Sequence, residues 1–137
     1  MEGARLGTPT KVLSMFRKIS ITLAILAGTT VAASAAGDAK AGADVFKRCA
    51  VCHTDDKGGG DGLGPNLFGV VGRKAASRPD FAYSPALKKS GITWNEATLT
   101  KWVAGPARVV PGTKMMFAGL SSKKQQADLV AYLATLK

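Results

Sequence analysis

Apolar residues are unevenly spread along the chain. Ile19 to Ala36 is an 18-residue stretch without a charge. Beyond it, apolar positions recur at helical spacing in short segments, separated by stretches rich in glycine and proline. Asp38 stands where a side chain can cap a helix over about Ala39 to Ala50, on which Gly42, Phe46 and Cys49 share one face. Thr93-x-x-Glu96 has the form of a capping box and predicts a helix to about Ala104, ended by Gly105-Pro106. Ser122-x-x-Gln125 is a second such box, opening a last helix whose apolar face is Leu129, Val130, Leu133 and Leu136. Residues 54–91 carry Pro65, Pro79, Pro85 and many glycines, and predict loops with a short turn at Ser84–Lys89. No segment alternates strongly as a half-buried strand does, so the expected class is all-α with long loops.

Arg17 and Lys18 precede the uncharged stretch, and Ala33-Ser34-Ala35 closes it. A basic start, a short apolar centre and a small-residue site are the parts of a secretory signal. Residues 1–35 are therefore expected to be a signal peptide cleaved after Ala35, leaving a periplasmic domain over residues 36–137. Met15, two residues ahead of Arg17, offers a start that makes residues 1–14 superfluous. The rival reading is an uncleaved anchor tethering the protein to the membrane. Eighteen residues lie near the lower limit for a span, about 17–25. The wealth of Ala, Thr and Ser and the small-residue end favour cleavage.

The formal charge is +10, and residues 36–137 hold 15 basic against 8 acidic residues. A domain this basic attracts an acidic protein surface, an anionic membrane or a nucleic acid. Its lysines and arginines are scattered rather than aligned on one helix, and no nucleic-acid motif accompanies them. Acidic protein surfaces, with transient membrane contact, are the partners this leaves. The chain has only two cysteines, which argues against a disulfide framework.

Those cysteines form Cys49-Ala50-Val51-Cys52-His53, the C-x-x-C-H pattern of c-type haem attachment. Two thiols on one helical turn reach the two vinyl groups on one porphyrin edge, and the following imidazole is carried under the iron. Alternatives are a thiol oxidoreductase, which calls for a strand before the motif, and a zinc site, which needs more ligands. No strand pattern precedes Cys49, and His53 is the chain's single histidine. A second axial ligand is available from Met115 or Met116 in Pro111-Gly-Thr-Lys-Met-Met-Phe117. A thioether opposite histidine favours ferrous iron and raises the potential. The competing role for both methionines is core filling. With both axial positions taken, the iron carries electrons rather than activating oxygen or peroxide. The catalytic alternative, a peroxidase, lacks a distal histidine.

From Gly37 to Lys137 the chain closely resembles class I cytochromes c, both mitochondrial and short bacterial periplasmic. The resemblance is carried by Gly37-Asp-Ala-Lys-Ala-Gly42, Phe46-Lys-Arg-Cys-Ala-Val-Cys-His53, Gly64-Pro-Asn-Leu67 and Gly69-Val-Val-Gly-Arg-Lys74. It continues in Gly91-Ile-Thr-Trp94, Pro111-Gly-Thr-Lys-Met115, Phe117-Ala-Gly119 and Asp128-Leu-Val-Ala-Tyr-Leu133. It implies an all-α fold with N- and C-terminal helices crossing near Gly42, Leu129 and Tyr132, and loops wrapped around one covalent haem c. It implies thioethers at Cys49 and Cys52, axial ligands His53 and Met115 rather than Met116, and a Pro65 carbonyl accepting the His53 ring N–H. Arg73, Tyr83 and Trp94 match propionate-binding positions, and Trp102, Thr113 and Phe117 complete the haem surroundings. The implied role is a monomeric, non-enzymatic electron carrier between membrane complexes such as a cytochrome bc complex, a terminal oxidase or a photosynthetic reaction centre. Arg48, Lys88, Lys114, Lys123 and Lys124 are the docking cations it leaves. Trp102 replaces a tyrosine usual near the methionine sulfur, and Leu87 a usual polar residue. Gly60, Gly62, Ala107, Ser121 and Ser122 stand where the mitochondrial proteins often carry lysine.

Overall fold

The computed structural model describes residues 36–137, so the expected signal peptide over 1–35 and the alternative start at Met15 lie outside the described residues. The described chain forms five helices: α1 (Ala39–Phe46), α2 (Pro85–Lys89), α3 (Glu96–Ala104), α4 (Pro106–Val109) and α5 (Lys123–Thr135). Among the described residues, extended pairing is limited to one isolated antiparallel bridge between loops, Lys74 with Thr93. None of these helices is long and apolar enough to cross a membrane.

Asp38 caps α1 as expected, its carboxylate accepting the N–H groups of Lys40 (2.8 Å) and Ala41 (3.3 Å). The helix is shorter than the spacing predicts, ending at Phe46 rather than near Ala50. The ladder tightens there: Arg48 N–H bonds to Val45 O and Cys49 N–H to Phe46 O, three residues back instead of four. The C-x-x-C-H segment is therefore a succession of tight turns rather than the end of a helix.

The start of α3 also differs. Asn95, not Thr93, is the cap, and Thr98, not Glu96, completes the box: Thr98 N–H donates to Asn95 Oδ1 (2.9 Å) and Asn95 N–H to Thr98 Oγ1 (2.8 Å). Thr93 and Trp94 are held extended by the bridge to Lys74 and by Trp94 N–H donating to Arg73 O at 2.9 Å, so the helix opens two residues later. Gly105 ends α3, and Pro106, whose missing N–H costs nothing at a first helical position, opens α4. Ser84 and Ser122 cap α2 and α5.

Helices α1 and α5 pack across each other, and α3 packs on α5. Gly42 makes the first contact possible, because a Cβ there would meet the Asp128 carbonyl and come within 2.7 Å of Tyr132 Cβ. Beside it the Phe46 and Tyr132 rings stack tilted, centroids 5.3 Å apart. Asp128 locks the pair by accepting Asp38 N–H (2.9 Å) and Lys124 Nζ (2.7 Å). The Lys124 ammonium and the Asp38 N–H hold its carboxyl below the usual carboxylate range. The core gathers Phe46, Val70, Trp94, Leu99, Trp102, Val103, Val110, Leu120, Leu129, Val130 and Leu133.

Tyr132 also reaches the loop after His53, donating to Asp55 Oδ2 at 2.5 Å. That bond, aided by burial, pushes its phenol up to about 12. A raised folded pKa contributes stability that is complete below the unfolded value of about 10 and is lost as pH climbs towards the folded one. Tyr132 should thus ionise last among the tyrosines, and Asp55→Ala should bring its phenolate absorbance down towards pH ~10. Unchanged titration in that variant would refute the bond.

Candidate functional site

The turns after α1 place Cys49, Cys52 and His53 together: the N–H groups of Cys52 and His53 both bond to Cys49 O at 2.9 Å. Both cysteines are half-buried and free of any disulfide. Burial pushes the Cys49 thiol up, outweighing the pull of the Arg48 guanidinium. An attacking thiol in an oxidoreductase is shifted the other way. Among the described residues no group of three or more His, Cys, Asp or Glu side chains gathers that would hold a metal ion.

His53 is fixed on two sides. Its Nδ1 lies 2.7 Å from Pro65 O. A carbonyl only accepts, so Nδ1 carries the proton and Nε2 keeps its lone pair. Burial lowers the ring's pKa, which favours that neutral form at pH 7, although the Pro65 carbonyl opposes the shift. Gly64 lies against the ring face: a Cβ there would come within 2.7 Å of Nδ1 and 2.8 Å of Nε2. The Gly64 N–H in turn bonds to Cys52 O at 2.8 Å, closing the loop onto the cysteine turn.

Asn66 holds this loop in shape, and sequence reasoning missed its role. It is 2% exposed, and every polar group of its side chain is used. Nδ2 donates to Thr54 Oγ1, Asp56 O and Gly59 O at 2.8–3.2 Å, while Oδ1 accepts Phe68 N–H at 2.7 Å. The residue beside Pro65 thus knots the whole 54–68 segment, and so steadies the carbonyl that orients His53.

Met115 is half-buried against the core, its N–H turned onto Thr113 Oγ1 at 3.2 Å, whereas the neighbouring Met116 is 100% exposed. Phe117 also packs on the core. Trp94 and Trp102 are buried with ring centroids 5.1 Å apart, and Tyr83 is buried against Phe81. Arg73 donates to Asn66 O (2.9 Å) and Phe68 O (3.1 Å). Burial pushes the Tyr83 phenol up, against the pull of the Arg78 backbone N–H and the Arg73 guanidinium. The expected docking cations Arg48, Lys88, Lys114, Lys123 and Lys124 are all exposed. Lys124 is tied to Asp128.

Ala76, in the turn after Arg73, adopts φ 57°, the left-handed region that costs a residue with a Cβ about 1–2 kcal/mol. Ala76→Gly relieves that cost and adds unfolded-chain entropy, so a net gain of about 0.5–1 kcal/mol is expected in denaturant unfolding. A loss of stability would contradict the strain.

A helical shell that presents two free thiols and an oriented imidazole on one turn defines a haem-binding domain. The family model described as cytochrome c matches residues 39–137. The chain is 51% identical over 106 residues to cytochrome c2 of Rhodomicrobium vannielii, covering 77% of this chain and 85% of that one. It is 46% identical over 106 residues to cytochrome c of Chlamydomonas reinhardtii, covering 77% and 95%. Among solved structures it is similar to cytochrome cH from Methylobacterium extorquens, at 49% identity and a TM-score of 0.68, covering 72% of this chain and 99% of that one. The chain belongs to the cytochrome c family. Members of that family are electron carriers with one covalently attached haem c, and Cys49, Cys52 and His53 stand in its attachment motif.

Proposed function

We propose that residues 36–137 form a periplasmic one-electron shuttle between membrane redox complexes, with its haem iron held between His53 and Met115. The observation that carries this reading is the His53–Pro65 bond of 2.7 Å, which leaves Nε2 free to ligate beside two unpaired cysteines. The bound haem supplies one-electron exchange between ferric and ferrous iron. The chain's own residues then have separate tasks. Cys49 and Cys52 anchor the group through thioethers. Pro65 and Gly64 fix the imidazole plane. Met115 closes the opposite side, with Thr113 and Phe117 shaping its loop. Arg73, Tyr83 and Trp94 would donate to the propionates, and Trp102 would stand near the methionine sulfur. With His53 as the single histidine, no distal base is left for peroxide chemistry, so the domain acts as a carrier and not as an enzyme. Residues 1–35 serve as the cleaved export signal.

Oxidised and reduced visible spectra of the holo-protein, with a haem stain after denaturation, test attachment and ligation together. Pigment lost to acid-acetone would end the reading. The carrier is a monomer that docks on acidic surfaces of a cytochrome bc complex, a terminal oxidase or a photosynthetic reaction centre, steered by Arg48, Lys88, Lys114, Lys123 and Lys124. Steered association reaches about 10⁸–10⁹ M⁻¹s⁻¹ at low salt and is screened over roughly 8–10 Å. Electron transfer to such a partner should therefore slow as salt rises. A rate flat with ionic strength would count against basic steering.

A further inference from the structure

One ion pair joins two loops that lie far apart in sequence. Arg78 Nε is 2.7 Å from Asp61 Oδ1, and the two side chains are only 31% and 18% exposed. By contrast, the Lys47–Asp44 pair on the surface is 78% and 75% exposed. Arg78 Nε is buried without an aligned hydrogen bond, so its contact with Asp61 is one of charge. Asp61 Oδ1 also accepts Asn66 N–H at 2.7 Å. From the other side the carbonyl of Asn66 accepts Arg73 Nη2 at 2.9 Å. Of the two guanidinium groups, from the two arms of the turn around Ala76, Arg73 thus bonds the buried Asn66 directly and Arg78 reaches it through Asp61.

Buried Tyr83 is the third member of the cluster. Both guanidinium charges, the Asp61 carboxylate and the Arg78 backbone act on its phenol. A phenol carries an O–H to donate. Arg73 already spends two N–H groups on the carbonyls of Asn66 and Phe68. A haem brings two carboxylates, more charge than Arg73 alone offsets.

We infer that Arg78, held in place by Asp61, is a second cationic positioning group for the haem propionates, and that the Asp61–Arg78 pair sets the charge felt at that end of the site. The inference rests on the reading of Arg73 and Tyr83 as propionate residues. Its physical signature is one of sign. A cation near the haem disfavours ferric iron, and an anion disfavours ferrous iron. Removing Arg78 leaves Asp61 uncompensated, and removing Asp61 leaves Arg78 uncompensated, so the two changes act in opposite directions.

Redox titration of the holo-protein at low ionic strength tests this with Arg78→Gln, Arg78→Lys and Asp61→Asn. The equilibrium constant for reduction should fall about threefold in Arg78→Gln and rise about threefold in Asp61→Asn, the size of one partly screened charge. Arg78→Lys should stay near the parent. Shifts of the same sign in Arg78→Gln and Asp61→Asn, or none in either, would mean that the pair only fastens loops, and would overturn the inference. So would a fall in Arg78→Lys as large as in Arg78→Gln. If Arg78→Gln does not load haem, Asp61→Asn decides alone, and anything but a rise overturns it. Failure of the underlying carrier reading shows elsewhere: the unmodified ferric protein would lack a sulfur-to-iron charge-transfer band.

Discussion

Met115→Ala is expected to lower the equilibrium constant for reduction by roughly three powers of ten, or ~180 mV at about 59 mV per decade for one electron. A thioether is soft and neutral, and opposite imidazole it stabilises ferrous iron. Replacing it leaves a position that water or an added ligand takes, and both favour the ferric state. Two methionines are adjacent in the chain, and only one of them faces inward. Met115 packs against the core, and its N–H is turned onto Thr113 Oγ1. Met116 is fully in solvent. Met116→Ala should accordingly leave the potential and the ferric spectrum near those of the parent. Met115→Ala should also let ferric protein bind added imidazole or cyanide rapidly, which the parent resists. Equal effects from the two alanine variants, or a larger one from Met116, would reject the assignment of the axial sulfur.

The features legible in the sequence are those fixed by near neighbours. Asp38 and Ser122 cap the helices they precede because a short polar side chain meets N–H groups two or three residues on, whatever the rest of the chain does. The spacing of Leu129, Val130 and Leu133 marked the buried side of α5 for the same reason. The Thr93 box failed because a distant strand of loop decides it: the bridge from Lys74 holds Thr93 extended, and Asn95 becomes the first residue free to cap. Likewise α1 stops at Phe46 because the chain must tighten to set both cysteines and His53 on successive turns, a demand absent from local propensity.

At the site, residue identities were legible and the means of holding them were not. C-x-x-C-H marks its own chemistry, and resemblance pointed to Pro65. The grip of Asn66 on Thr54, Asp56 and Gly59 depends on where three distant oxygens come to lie, and asparagine in a Gly-rich loop ordinarily reads as turn chemistry. Gly64 is similar: its need for a bare Cα comes from the imidazole face resting on it. A Gly-Pro-Asn string between two loops carries no trace of that contact.

The second large effect concerns the fold itself. A Cys49→Ser/Cys52→Ser chain, unable to retain haem, should be largely unfolded. Between Lys47 and Ser84, Val70 and Tyr83 are the only large apolar side chains in the buried core. Ordering the backbone costs about 1–2 kcal/mol per residue, so this long segment cannot be held by its own apolar burial. Its hydrogen bonds through Asn66 and Arg73 are short-range knots, and each returns only about 0.5–1.5 kcal/mol net. Covalent attachment at Cys49 and Cys52 would supply a large apolar surface for the loops to pack on. Without it, α1 and α5 still share the Gly42 crossing, but α1 has eight residues and is too short to persist alone. Circular dichroism of the double-serine chain should show most of the helix signal gone and a broad, shallow thermal change. A sigmoidal, cooperative melt with helix content near that of the holo-protein would show instead that the polypeptide carries its own core, and that haem only occupies it.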